Sequence, residues 1–170
     1  MHKINRFQAL LILLAALFLH LTLLNYIKIF GAEPDLMLIC VVFFALFFGP
    51  GAGFESGIAA GFLKDIFTLD FFGINAFTLG VTGLVAGVLN EKFSKESGHT
   101  QFVLVGLFTI FSMSVHFAFI TLFSKSMALN FIEFLTTSAI PSSVYTALVG
   151  LPIFAKFIGI YNLKELEGLL

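Results

Sequence analysis

Apolar residues run along this chain in long blocks, separated by short stretches that carry its charges and its helix-breaking Gly and Pro. The blocks are too long and too uniformly apolar for strands with one face in water, and they predict helices. The first, Phe7 to Phe30, has about the 20 residues that cross a hydrocarbon core. It is too long for the apolar region of a signal peptide and no small-x-small cleavage site follows, so it reads as an uncleaved anchor. Gly31-Ala32-Glu33-Pro34 ends it. Helices are then expected at about 34–48 and 51–67, split by Gly49-Pro50-Gly51, and at about 74–89, 100–123 and 131–157. The second and third would be only about 22 and 25 Å long, short for a bilayer core of about 30 Å. Pro141 and Pro152 predict kinks or a split in the last.

Composition then fixes the solvent. Hydrophobic residues are 59% and charged residues 11% of the 170, against about 45–50% and 25% in soluble domains. Too few charges remain to cover a water-facing surface. A soluble enzyme, a disordered segment and a basic nucleic-acid-binding domain are excluded. The expected fold class is an all-α integral membrane protein, a single transmembrane domain over residues 1–170 built as a six-helix bundle. Six spans put both termini on one side, with Lys3, Arg6, Lys92, Lys95, Lys156 and Lys164. The other side has Lys28, Lys64 and Lys125. The excess of positive charge predicts cytoplasmic termini. A re-entrant pair in place of the second and third spans would leave that parity unchanged.

The third predicted helix carries the most informative pattern. Gly49, Gly53, Gly57, Gly61 and Asp65 recur every four residues, with Ala52, Ser56, Ala60 and Lys64 in the adjacent row. Such a strip has little side chain on it and lets two helix backbones approach. Gly80, Gly83 and Gly87 in the next helix offer a partner. Among the charges, Asp65 is read either as a polar contact holding this helix to the next loop or as an interfacial carboxylate. Lys64 is read as snorkelling to the surface, Glu55 as lying at the inner interface, and Asp70 as a solvated loop residue.

Catalytic and metal signatures are missing from the sequence. There is no phosphate loop, no HExxH and no GxSxG. Glu55 and Asp65 stand about 15 Å apart along one helix, too far to share a proton. His20 and His116 have no second ligand at i+3 or i+4 and are read as hydrogen-bonded structural histidines. Asn75 is read as a helix cap, Glu133 as a carboxylate suited to a helix start, and Cys40 as a small apolar filler. The expectation is a non-enzyme without cofactors.

From Pro34 to Gly87 the chain resembles the bacterial rod shape-determining protein MreD family. The residues that carry the resemblance are the Pro34-Asp35 start, the Gly49-Pro50 turn and the glycines at 53, 57 and 61 ending in Asp65. Gly73 and Asn75 in Phe72-Gly73-Ile74-Asn75-Ala76 follow, then Gly83 and Gly87. Lys64 and Glu55 depart from the family pattern, where small or apolar residues are usual. The resemblance implies a non-catalytic scaffold subunit of the cell-elongation machinery that organises peptidoglycan synthesis. It would bind MreC directly and work with MreB, RodA and a class B penicillin-binding protein, within membrane lipid and without nucleic acid. The helix-packing or partner-binding surface would be Gly49, Gly53, Gly57, Gly61, Asp65, Gly73, Asn75, Gly83 and Gly87. That family's fold is similar to the substrate-binding subunits of energy-coupling-factor transporters. The alternative function is therefore a vitamin-capture subunit of a membrane transporter. Against it stands the first helix, where Ala9, Ala15 and Ala16 lack the Ala-x-x-x-Ala docking spacing of such subunits.

Overall fold

The computed structural model describes residues 6–23, 32–68, 71–89, 97–123 and 130–167. Lys3, Lys28, Asp70, Lys92, Lys95 and Lys125, which entered the charge argument above, lie outside the described residues. Within them the chain is all helical, without a sheet. The elements are α1 Arg6–Leu23, α2 Leu36–Phe48, α3 Pro50–Phe67, α4 Ile74–Val88 and α5 Gly98–Phe123. After these come α6 Phe131–Phe134, a π-helical turn Leu135–Ala139 and α7 Ile140–Glu167. Two stretches, Gly98–Phe123 and Phe131–Gly159, are long and apolar enough to cross a membrane. The apolar parts of α1, α2 and α4 are shorter.

The middle of the bundle is α2. Every residue from Met37 to Leu46 is buried, and α1, α3, α4, α5 and α7 all pack on it. A helix that is apolar on every side has no face for water and belongs inside. Phe43 is its hub, stacked on Phe47 at 4.6 Å between ring centroids and edge-on to Phe154 of α7 at 5.4 Å. Gly49 ends α2 and starts α3. Its N–H donates to Ala45 O and its carbonyl accepts from Gly53 N. Its φ of 89° and ψ of −176° lie in a region that only glycine occupies readily. Pro50 follows at the first turn of α3, where a missing N–H leaves nothing unpaired.

The α3–α4 pair is the closest in the fold, backbone against backbone. A Cβ on Gly53 would strike Gly83 O, and it would meet Ala45 Cβ at 2.7 Å. One on Gly57 would meet the Leu79 carbonyl carbon at 2.7 Å, and one on Gly61 would run into the Ala76 backbone. From the other side, a Cβ on Gly87 would meet Pro50 N at 2.6 Å. The glycines of both helices thus alternate along one seam, and no larger residue fits it at this spacing.

Near its start, the last helical stretch makes one adjustment. Pro141 has no N–H to offer, and its ring would crowd the carbonyl four residues back. The chain widens there into the π turn, where the Ile140 N–H reaches Leu135 O. Thr136 and Thr137 hydroxyls donate to backbone carbonyls of Ile132 and Glu133 in the same region. Pro152, by contrast, lies inside α7 without ending it.

Replacing Gly57 by Leu should lower stability by about 1–3 kcal/mol through overpacking of the seam. Gly51→Ala, at a position with open space around it, should leave stability unchanged or slightly raised. Detergent thermal-stability curves of the two variants check this; equal melting temperatures would refute a seam set by glycine.

Candidate functional site

Asp65 is where the seam meets the site. It is 4% exposed, and its carboxylate accepts four hydrogen bonds from the start of α4. Oδ2 accepts from Gly73 N at 3.0 Å and Ala76 N at 3.1 Å. Oδ1 accepts from Asn75 N at 3.1 Å and Asn75 Nδ2 at 2.9 Å. The first N–H groups of a helix have no partner within it, and its N-terminus favours negative charge. Asp65 satisfies both needs from the neighbouring helix. Asn75 is therefore not the cap expected from sequence. It sits in the first turn of α4, and its amide also donates to Thr68 Oγ1 at 3.3 Å. Gly73 holds the cap position itself, with a left-handed φ of 98°.

The residue before Asp65, Lys64, does not snorkel to the surface. Its Nζ lies 2.6 Å from Asp35 Oδ2. Asp35 caps α2 by accepting from Leu38 N at 3.0 Å, and its own N–H donates to Thr146 Oγ1 of α7. Burial is the largest influence on the Asp35 carboxyl and would raise it, but the nearby positive charge, Lys64 foremost, and the hydrogen bonds from Lys64 and Leu38 N together outweigh it and hold it at about 2. The stabilisation from this pair is complete above the ordinary carboxylate value near 4. It is lost only as pH falls through about 2.

These residues form one wall of a cavity of about 400 Å³, within the range of small-molecule sites. His20 of α1 lines it, with Glu33, Pro34 and Asp35 before α2. Thr68 joins Lys64 at the end of α3, and α4 adds Asn75, Thr78 and Leu79. Across from them stand Thr109, Ser112, Met113 and His116 of α5, then Phe134, Ser138 and Ser142. Two of the lining groups have buried polar atoms, His20 Nδ1 and Thr78 Oγ1, that find no hydrogen-bond partner among the described residues. A buried polar group without a partner is costly and needs an explanation. Around this polar space the packed core is apolar.

The remaining sequence-derived positions lie apart from it. Gly49, Gly53, Gly57, Gly61, Gly83 and Gly87 belong to the α2–α3 turn and the α3–α4 seam. Glu55 is exposed on α3. Cys40 is buried in α2. Among the described residues no group of His, Cys, Asp or Glu could hold a metal ion.

The described residues thus form an apolar helical bundle around a partly polar cavity. The family model described as "ECF-type riboflavin transporter, S component" matches residues 6–163, and the chain belongs to that family. No curated protein and no solved structure matches it. The protein is thus an integral membrane transporter component, which accords with the expectation of a non-enzyme.

The match overturns the resemblance to MreD and with it the scaffold role in rod shape and peptidoglycan synthesis. It also overturns the expected partners MreC, MreB, RodA and a class B penicillin-binding protein. The physical reason lies in what the shared motifs do here. The glycine row, the Gly-Pro turn and the Asp65 cap build a close helix pair, and a close helix pair serves many functions. The alternative kept beside that reading, a vitamin-capture subunit, is the one the family supports. α1 still lacks the Ala-x-x-x-Ala spacing, and it turns Leu13, Ala16 and Leu17 into the core.

Asp65→Ala should cost on the order of 3 kcal/mol, because it leaves buried N–H groups of α4 unpaired. Asp65→Asn should retain part of that stability. A thermal-unfolding series on the two variants tests the order; an Asp65→Ala protein as stable as wild type would contradict it.

Proposed function

We propose that this protein is the substrate-capture subunit of a vitamin transporter and that riboflavin is held in the cavity between α1, α4 and α5. The observation that carries the reading is the cavity itself: His20 Nδ1 and Thr78 Oγ1, without partners among the described residues, line a space of small-molecule size inside an apolar bundle. Riboflavin is a flat heteroaromatic ring with carbonyl and imide edges and a hydroxylated tail. Imidazole, hydroxyl and ammonium groups suit its acceptors and donors, while Leu79, Met113 and Phe134 suit its ring faces. The family name supplies the vitamin.

The lining residues also share one end of the bundle. They come from the C-terminal part of α1, the N-terminal side of α2, the end of α3, the start of α4 and the second half of α5. With cytoplasmic termini and six passes, as the charge distribution favours, that end faces outward, where a capture subunit meets its vitamin. The partner implied is an energy-coupling module of ATPase and transmembrane subunits.

Free riboflavin fluoresces, and a bound flavin is quenched when its ring is enclosed against protein groups. Titrating purified protein into riboflavin should give saturable one-to-one quenching. Thr78→Val, which keeps shape and removes the hydroxyl, should weaken binding by about 3–10-fold, the value of one buried hydrogen bond. Absence of saturable binding by folded wild-type protein would refute the reading.

A further inference from the structure

We propose that Asn75 reads the imide edge of the flavin: its side-chain oxygen accepts the ring N–H, and Thr78, one turn further along α4, donates to the carbonyl beside it. The proposal rests on the reading of the cavity as a flavin site. Asn75 is 6% exposed and lines the cavity. An asparagine side chain offers two N–H donors on one side and an acceptor oxygen on the other. Which of the two faces the ligand is decided by what the amide already holds.

Both donors are spent inside the α3–α4 junction. One goes to Asp65 Oδ1 at 2.9 Å and the other to Thr68 Oγ1 at 3.3 Å. Neither partner would take the oxygen instead. Asp65 Oδ1 is a carboxylate acceptor that also receives Asn75 N. Thr68 sends its hydroxyl proton to Lys64 O at 3.2 Å, which leaves its oxygen as an acceptor too. A flipped amide would set its oxygen against two acceptors. The amide is thus locked, and its oxygen is the atom left for the cavity. Asp65 and Thr68 are positioning residues for it, and the wall they build asks for a donor.

Thr78 supplies the complementary group. Three residues on in a helix, it shares a face with Asn75, with Cβ atoms about 5–6 Å apart. Thr82 and Thr109 spend their hydroxyl protons on carbonyls four residues back. Thr78 does not: its Oγ1 is buried and has no partner among the described residues. An acceptor and a donor standing side by side fit an edge that carries N–H next to C=O, as the imide of a flavin does.

The test is a fluorescence-quenching titration of the purified protein with riboflavin and with its derivative methylated on the imide nitrogen. The methyl group removes the donor and leaves the carbonyls, the ring and the tail. Wild type should bind the methylated flavin at least about tenfold more weakly, since a buried acceptor then stays without a partner. Asn75→Ser keeps a short donor beside Asp65 and removes the acceptor that reaches the cavity. Riboflavin should then bind more weakly, and the gap should shrink to about threefold or less. A residue that only held the helices together would lower both affinities by one factor and leave the gap intact. Thr78→Val should weaken both flavins alike and keep the gap. Equal affinities in wild type, an unchanged gap in folded Asn75→Ser, or a gap lost in Thr78→Val would each overturn the proposal while leaving the flavin site standing. The wild-type and Thr78→Val arms stand even if Asn75→Ser does not fold. No binding of riboflavin at all would remove both readings.

Discussion

The backbone contact between α3 and α4 is the constraint on which the rest of the structure depends. Helices in lipid gain nothing from hiding apolar surface from one another, so they associate by packing and hydrogen bonding. The glycines at 53, 57 and 61 remove every side chain that would hold α4 away, and Gly83 and Gly87 do the same from the other side. Closeness at the seam has a consequence at its end. It brings the Asp65 carboxylate onto the first N–H groups of α4, so the helix start is satisfied without water. Lys64, Thr68, Asn75 and Thr78 are placed around the cavity by that same junction. The packing motif and the cavity wall are therefore one construction.

A polar cavity inside an apolar bundle has to be held open. Charged groups at membrane depth cost several kcal/mol unless matched, and the bundle matches its own. Lys64 faces Asp35, and Asp35 is tied to α2 and to Thr146 of α7. Such ties link the first half of the chain to the second across the site. On the far wall, the widened π turn before Pro141 carries Ser138, while Ser142 follows at the start of α7. π turns recur at functional sites because they redirect side chains without ending the helix.

The all-helical class was legible because apolar runs of this length leave few alternatives, and the glycine row was legible because its four-residue period is local. The Asp65 contact was half legible: the sequence places a carboxylate at the right distance but cannot say that Gly73-Ile74-Asn75 folds back onto it. The cavity was not legible. Its polar residues stand one or two to a helix, and each alone reads as a structural or surface residue. His20 and His116 are 96 positions apart in sequence, and no spacing rule joins them. Only the bundle brings them to one space. The resemblance to MreD failed for a related reason, since it was carried mainly by residues that govern packing; of the residues lining the cavity, Pro34, Asp35 and Asn75 belong to its motifs, while Lys64 was read as a departure and the rest fall outside them.

The central claim is that this cavity holds the vitamin, and the most direct measurement is an experimental structure of the protein saturated with riboflavin. The account predicts flavin density in the space lined by His20, Asn75, Thr78 and His116, with ligand atoms within hydrogen-bond distance of Thr78 Oγ1 and His20 Nδ1. Flavin bound at another surface, with this cavity holding only water, would contradict it.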